Sequence, residues 1–370
     1  MATRPTGTSS SYDEQARSER KAVLYNELKG LIPPEPGLRL LSLDDGGARG
    51  LSTLLLLGNL TQSIEYVSRK AVKPCDYFDI IAGSGTGGLI ALLLGRFRMS
   101  VEHAIECYTR IVDRVFFRTK ADGTFRVTPF EEVLKEISNR FGDGDDSQLI
   151  TSSGSLCKTF VCVREDDQSG TIQLRKLRTY VHPSEPPFQT TFIEATRATM
   201  GNTLFFKPIT ITSDSGAVST LLDAGDAHCN PVFDLLEEAR SLYPSRRISY
   251  LLSIGAGRAS TIDSSPSRGF LHQPRLALSC LAAMQHLANC CDATAQAFQQ
   301  QNPELDRSYF RFSLDQGVSD GKMNQWEQPE VLKEWTRPYC VAVQKPLWTV
   351  VTSMMHERNV VQGYNRKRSH

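Results

Sequence analysis

The chain carries almost no net charge. Its 370 residues hold 42 Lys and Arg against 41 Asp and Glu, a formal charge of +1. It lacks the basic footprint of a nucleic-acid binder and the field that would steer a strongly anionic substrate, so no nucleic-acid partner is expected. The nine cysteines are odd in number and scattered, with no C-x-x-C pair. None shows a zinc-type spacing to histidine, so neither a disulfide framework nor a metal site is expected. The acidic stretch 141–146 does not follow the ligand order of a calcium loop and reads as a solvated turn. No apolar run reaches the roughly 18–20 residues of a membrane span. The best candidate, 77–94, is interrupted by glycines and Asp79. The opening residues hold no apolar signal core. These absences lead us to expect a soluble cytoplasmic protein, with peripheral membrane contact left open.

What is present is the pattern of an α/β domain. A composition of 40% hydrophobic and 22% charged residues is globular, and the length allows a substantial core. Residues 13–31 read as an amphipathic helix stopped at Pro33-Pro34, after a polar start. Apolar runs suited to buried strands occur at 38–43 (LRLLSL), at the start of 77–87, at 157–163, 172–179 and 221–222, and at 249–254 (SYLLSI). Helices are expected over 51–66, from the 77–87 turn to about 139, over 191–200 and over 274–300. Strands alternate with helices without a repeat, which predicts a largely parallel sheet. We divide the chain into a tail and helix (1–36), an α/β domain (37–345), and a C-terminal helix with a basic tail (346–370).

Three expected strand ends carry glycine-rich loops, at 44–50, 83–87 and 223–225. Sites in α/β sheets form at the carboxyl ends of strands. In Asp44-Asp45-Gly46-Gly47-Ala48-Arg49-Gly50, glycines let backbone amides turn toward an anion, and the following helix adds positive potential. That arrangement stabilises the oxyanion of acyl transfer. A phosphate-binding turn or a plain tight turn are the alternatives, although this loop has neither G-K-[ST] nor G-x-G-x-x-G. Arg49 is either an anion clamp or the partner of a structural carboxylate.

The run YFDIIAGSGTGGLIALLL (77–94) reads as strand, tight turn and helix, the framework that presents a nucleophile at the centre of G-x-S-x-G. Here the centre of the pentad is Gly85, which has no side chain. Ser84 sits one residue early, where a side chain points away from the site. It reads as a turn hydroxyl, as does Thr86. Asp44, Asp45 and Asp223 are expected at neighbouring strand ends. Clustered carboxylates raise one another's pKa and serve as general acid and base without covalent chemistry. His228 is an acid/base candidate or an exposed loop residue. Cys229 is a replacement thiol or a buried inert one.

Together these segments resemble the patatin-like phospholipase family. Residues 38–50 resemble its D-G-G-G-x-R-G segment, 77–90 its strand and G-x-S-x-G elbow, and 221–231 (LLDAGDAHCNP) its D-G-[GA] segment. Residues 97–116, 157–163, 191–208 and 251–257 are similar to the fungal-type branch. The resemblance implies a three-layer α/β/α fold and lipid acyl hydrolysis by a Ser–Asp dyad. In that chemistry the serine attacks, the aspartate is its base and the glycine loop holds the oxyanion. It puts Asp223 at the dyad aspartate, Gly46 and Gly47 at two of three oxyanion glycines, and Gly85 at the nucleophile. Asp45 takes the first oxyanion glycine position, where a carboxylate would repel a developing oxyanion.

Both halves of the hydrolytic apparatus are therefore altered. We expect a patatin-like protein that has lost Ser–Asp hydrolysis and performs non-hydrolytic acid/base chemistry, such as cyclisation, elimination or isomerisation, on a hydrophobic small molecule. Asp45 and Asp223 are the catalytic candidates. Asp44, Gly46, Gly47, Arg49, Ser84, Gly85 and His228 are expected around the substrate or oxyanion. No cofactor and no metal are expected. The alternatives are a dead pseudo-hydrolase that binds acyl lipid or a partner, and an acyl hydrolase that works through Ser84 or is an inactivated form of one.

Overall fold

A computed structural model of the chain describes residues 36–116, 120, 124–144, 147–151, 157–166, 172–212, 218–258, 278–315 and 329–368. The helix expected over 13–31 lies outside the described residues. Gly37–Arg358 forms one compact unit, and 1–36 with 359–370 falls in another.

An eight-stranded sheet forms the middle layer. In chain order its strands are β1 (Leu38–Leu43), β2 (Ile80–Ser84), β3 (Lys158–Asp166), β4 (Ile172–Arg178), β5 (Ile209–Thr212), β6 (Val218–Asp223), β7 (Ile248–Arg258) and β8 (Tyr309–Asp315). The order across the sheet is β5-β6-β3-β2-β1-β7-β8, with β4 also paired to β3. Strands β3, β2, β1, β7 and β8 run parallel. Strands β4 and β6 are antiparallel to β3, and β5 is antiparallel to β6. The three-layer, mostly parallel α/β arrangement expected from the sequence is the one found.

The helices are α1 (Gly50–Ser68), α2 (Gly85–Ala91), α3 (Val101–Ile111), α4 (Val127–Phe141), α5 (Phe192–Thr199), α6 (Val232–Leu242), α7 (Leu278–Gln301), α8 (Pro329–Ala342) and α9 (Gln344–Arg368). Strand alternation sorts the sheet's side chains between two cores. Leu41, Leu43, Ile81, Val161, Leu252 and Ile254 join one cluster with residues of α1 to α5. Leu38, Leu40, Ile80, Ala82, Phe160 and Leu251 join another with Val232, Leu235 and Ala239 of α6. All six residues of β1 are buried, as both faces of a parallel sheet are covered by helices.

The register of β3 positions the site. Strand β4 occupies one edge of β3 from Phe160 to Asp166, so β2 and β6 share the other edge end to end. Strand β2 ends with Ser84 opposite Cys162, and β6 ends with Asp223 opposite the next residue, Val163. The two strands run toward each other, and Asp223 meets the β2–α2 turn.

Candidate active site

The turn from β2 into α2 is sharp. Gly85 has φ +54°, a left-handed conformation in which a side chain is strained. The turn packs so closely on β1 that a Cβ at Gly87 would fall 2.4 Å from the Leu43 carbonyl oxygen. Helix α5 fixes the turn from the side. It starts with a capping box, in which Thr191 Oγ1 accepts from the Glu194 amide (3.2 Å) and the Glu194 carboxylate accepts from the Thr191 amide (2.8 Å). At its other end, Thr199 Oγ1 accepts from the Gly85 amide (3.0 Å) and donates to the Cys162 carbonyl (2.9 Å).

Asp45 fills the space above Gly85. A Cβ built at Gly85 would lie 2.0 Å from Asp45 Cγ and 2.3 Å from both carboxylate oxygens. Asp45 Oδ1 accepts from the amides of Gly46 (2.7 Å), Gly47 (3.4 Å) and Thr86 (3.0 Å), and from Thr86 Oγ1 (3.1 Å). The amides expected to hold a substrate oxyanion thus hold the protein's own carboxylate. No donor among the described residues reaches Oδ2, which lies 2.3 Å from the Cβ position at Gly85. Burial pushes the Asp45 carboxyl above the usual range, the amides of Thr86, Gly47 and Gly46 pull it back, and the charge of Asp223 adds to the push. Tyr108, buried on α3, donates its hydroxyl to the Gly47 carbonyl and holds the loop from behind.

Asp223 is tied on every side. Its Oδ1 accepts from Arg164 Nη2 (3.2 Å), and its Oδ2 from Asn202 Nδ2 (3.2 Å) and the Gly225 amide (3.3 Å). Asp45, Gly46, Gly47, Arg49, Gly85, Thr86 and Asp223 help line a cleft open in part to solvent, with about 460 Å³ of space when its open mouth is counted. An apolar wall completes the lining. It comprises Phe116, Phe125, Met200, Phe205 and Phe206, with Met284 and Leu287 from α7. Phe125 packs edge-on to Phe116 with ring centroids 5.0 Å apart, and Phe206 stacks on Phe130 at 5.0 Å. Sequence reasoning missed this wall. The Phe205-Phe206 pair outside any helix or strand was the only signal for it.

Three expected site residues, Asp44, Ser84 and His228, are placed off the cavity. Asp44 leaves β1 on the other side and is absent from the cavity lining. Its Oδ2 accepts from Arg311 (2.7 Å), which also reaches Asp292 (3.1 Å), while its buried Oδ1 has no partner among the described residues. Burial raises its carboxyl to about 6, with Arg311 opposing. Ser84 is buried as the last residue of β2 and does not line the cavity. His228 lies on an outer groove with Arg164 and Asp226, and its Nδ1 pairs with Asp234 (3.0 Å). Arg49 lines the cavity as expected, and among the described residues it pairs with no carboxylate. Its buried guanidinium donates to the carbonyls of Gly257 (2.5 Å) and Met284 (3.3 Å), joining β7 to α7. Cys229 is buried, with its thiol donating to the Asp226 carbonyl (3.1 Å).

No helix among the described residues is long and apolar enough to cross a membrane. Comparison with curated proteins finds similarity to phospholipase A I of Arabidopsis thaliana, 32% identical over 168 residues, covering 38% of this chain and 12% of that protein. Calcium-independent phospholipase A2-gamma of Oryctolagus cuniculus is 25% identical over 266 residues, covering 66% of this chain and 31% of that protein. The probable inactive patatin-like protein 9 of Arabidopsis thaliana is 26% identical over 249 residues, covering 62% of this chain and 63% of that protein. The chain spans less than a third of the length of the first two. The family model of patatin-like phospholipase matches residues 41–236, more than half of the chain. That match runs from β1 through the elbow to Asp223 and α6, and on it the chain belongs to the patatin-like phospholipase family.

Proposed function

We propose that this chain has given up Ser–Asp acyl hydrolysis and uses the same cleft for non-hydrolytic acid/base chemistry on a hydrophobic small molecule. Cyclisation, elimination and isomerisation all need only carboxylates and a dry pocket. The observation that carries the proposal is the Asp45 carboxylate over Gly85. It takes the nucleophile's space and the oxyanion amides together, and it leaves Oδ2 without a donor among the described residues in a residue that lines the cavity. In this reading Asp45 moves the proton. Asp223 fixes the rim and adds to the negative field that favours the protonated form of Asp45. Gly46 and Gly47 hold Asp45 rather than substrate.

A catalytically dead protein that binds acyl lipid or a partner is the second reading. The engagement of Asp223 by Arg164, Asn202 and Gly225 favours it, because a carboxylate so bound makes a poor base. Hydrolysis through Ser84 loses support from the burial of that residue off the cavity. The cytoplasmic location, the peripheral membrane contact and the fungal-type branch inferred from the sequence belong to this same proposal.

The test is incubation of the protein and its Asp45→Asn variant with a lipid extract, followed by mass spectrometry of products. We expect isomeric or dehydrated products from the wild type, none from the variant, and equal retention of a fluorescent fatty acid by both. Free fatty acid released from esters would contradict the proposal. Retention of lipid with no product from either protein would favour the second reading.

A further inference from the structure

Away from the cavity, Asp226, His286 and Cys290 bring a carboxylate, an imidazole and a thiol together. Asp226 opens the 3-10 turn Asp226–His228 after β6. His286 and Cys290 stand four residues apart on α7 and so share one face of that helix. Their donor atoms all lie within 4.8 Å of one another. His286 Nε2 is 2.8 Å from Asp226 Oδ2 and 3.6 Å from Cys290 Sγ.

We propose that these three residues bind a zinc-type divalent ion, with water or a small ligand in the fourth position. The spacing supports this in numbers. Tetrahedral bonds of about 2.3 Å to sulfur and 2.05 Å to nitrogen put those ligand atoms about 3.6 Å apart, the separation found for His286 and Cys290. Nitrogen and carboxylate oxygen would sit about 3.4 Å apart on the same geometry, so the His286–Asp226 contact opens by roughly 0.6 Å to admit the ion. One sulfur, one nitrogen and one oxygen suit zinc or cobalt and disfavour calcium and magnesium, which take oxygen shells.

The two segments that supply the ligands are already joined. The Cys229 thiol donates to the carbonyl of Asp226 (3.1 Å) and to that of Leu287 on α7 (3.8 Å). Asp226 and His286 are exposed and Cys290 is half-buried, so an ion enters without unfolding the chain. On binding, the Cys290 thiol gives up its proton to solvent, and His286 coordinates through Nε2 with its proton on Nδ1. The dication then meets one thiolate and one carboxylate, leaving the site neutral. Because Leu287 and Met284 of α7 line the cavity, the ion would brace that wall against the turn that follows Asp223.

The test is titration of metal-stripped full-length protein with zinc, and separately with cobalt(II), followed by absorbance and thermal unfolding. We expect one ion per chain, a rise in the unfolding midpoint, and a thiolate-to-cobalt band in the near ultraviolet. Asp226→Asn, His286→Ala and Cys290→Ser should each weaken zinc affinity at least tenfold, and Cys290→Ser should remove the band. These positions are exposed or half-buried, so the metal-free variants should melt with the wild type, which separates lost binding from lost folding. Zinc affinity weaker than about 100 μM in the wild type, or unchanged in all three variants, would overturn the proposal.

Discussion

Replacing Gly85 with serine probes how Asp45 is seated. A side chain in the left-handed region at position 85 costs roughly 1–2 kcal/mol by itself. The new Cβ would also fall 2.0 Å from Asp45 Cγ, where carbon atoms rest at about 3.5–4.0 Å. The carboxylate must therefore swing away. In doing so it gives up its bonds from the Gly46 amide at 2.7 Å and the Thr86 amide at 3.0 Å. At roughly 1.5 kcal/mol for each charge-assisted bond, that adds about 3 kcal/mol, for a total near 4–5 kcal/mol. The compact unit Gly37–Arg358 holds roughly 320 residues, and at about 2.1 cal/mol/K each its unfolding entropy is about 0.7 kcal/mol/K. The unfolding midpoint should then fall by about 6–7 °C. With Asp45→Gly already present, only the backbone strain remains, and Gly85→Ser should cost about 2–3 °C. Urea and thermal unfolding of the four proteins of this double-mutant cycle would measure a coupling of about 3 kcal/mol. An equal cost of Gly85→Ser in both backgrounds would refute the seating of Asp45 over the elbow.

Other substitutions test neighbouring parts of the site. Phe206→Ala removes a buried ring stacked on Phe130 and should cost about 3–5 kcal/mol, lowering the midpoint by about 4–7 °C and weakening fluorescent fatty-acid binding. An unchanged dissociation constant would remove the aromatic wall from the binding site. Tyr108→Phe leaves the Gly47 carbonyl without its hydroxyl donor and should cost about 1–2 kcal/mol, read by urea unfolding. The Asp44 carboxyl sits higher in the folded chain, at about 6, than its ordinary 3.8. The folded state therefore holds this proton more tightly, so the stabilisation is full below about pH 4 and is lost as pH rises to about 6. Relative to Asp44→Asn, the wild type should lose stability between pH 4 and 6 in urea unfolding and run parallel to the variant above pH 7. A constant difference from pH 4 to 7 would contradict it.

Much of the frame was legible in the chain because parallel strands buried on both faces leave near-continuous apolar runs, as LRLLSL and SYLLSI do. Gly85 and Asp45 were each legible as departures. Their contact was not, because it joins residues 40 positions apart through one rotamer. Asp44 and Asp45 were expected together with Asp223 in one cluster of carboxylates. Strand alternation carried past Leu43 sends Asp44 to Arg311 and leaves Asp45 at the turn. The approach of Asp223 was readable as a strand end but not as an antiparallel one, since register depends on which edge of β3 is free. Ser84 and His228 drew attention through residue type, and neither side chain lines the cavity in the fold. His286 and Cys290 carry little signal by themselves as one histidine and one cysteine a helical turn apart, and Asp226, 60 positions before His286, joins them only through the fold.

The most direct measurement is intact-protein mass spectrometry after treatment with a fluorophosphonate probe, on the wild type and on the Gly85→Ser/Asp45→Gly double variant. A chain whose nucleophile position is filled by its own carboxylate should show no adduct. The double variant, with a serine at the elbow and the amides of Gly46 and Gly47 released, should gain the mass of one probe. An adduct on the wild type, lost in Ser84→Ala, would contradict the reading and return the protein to the serine hydrolases.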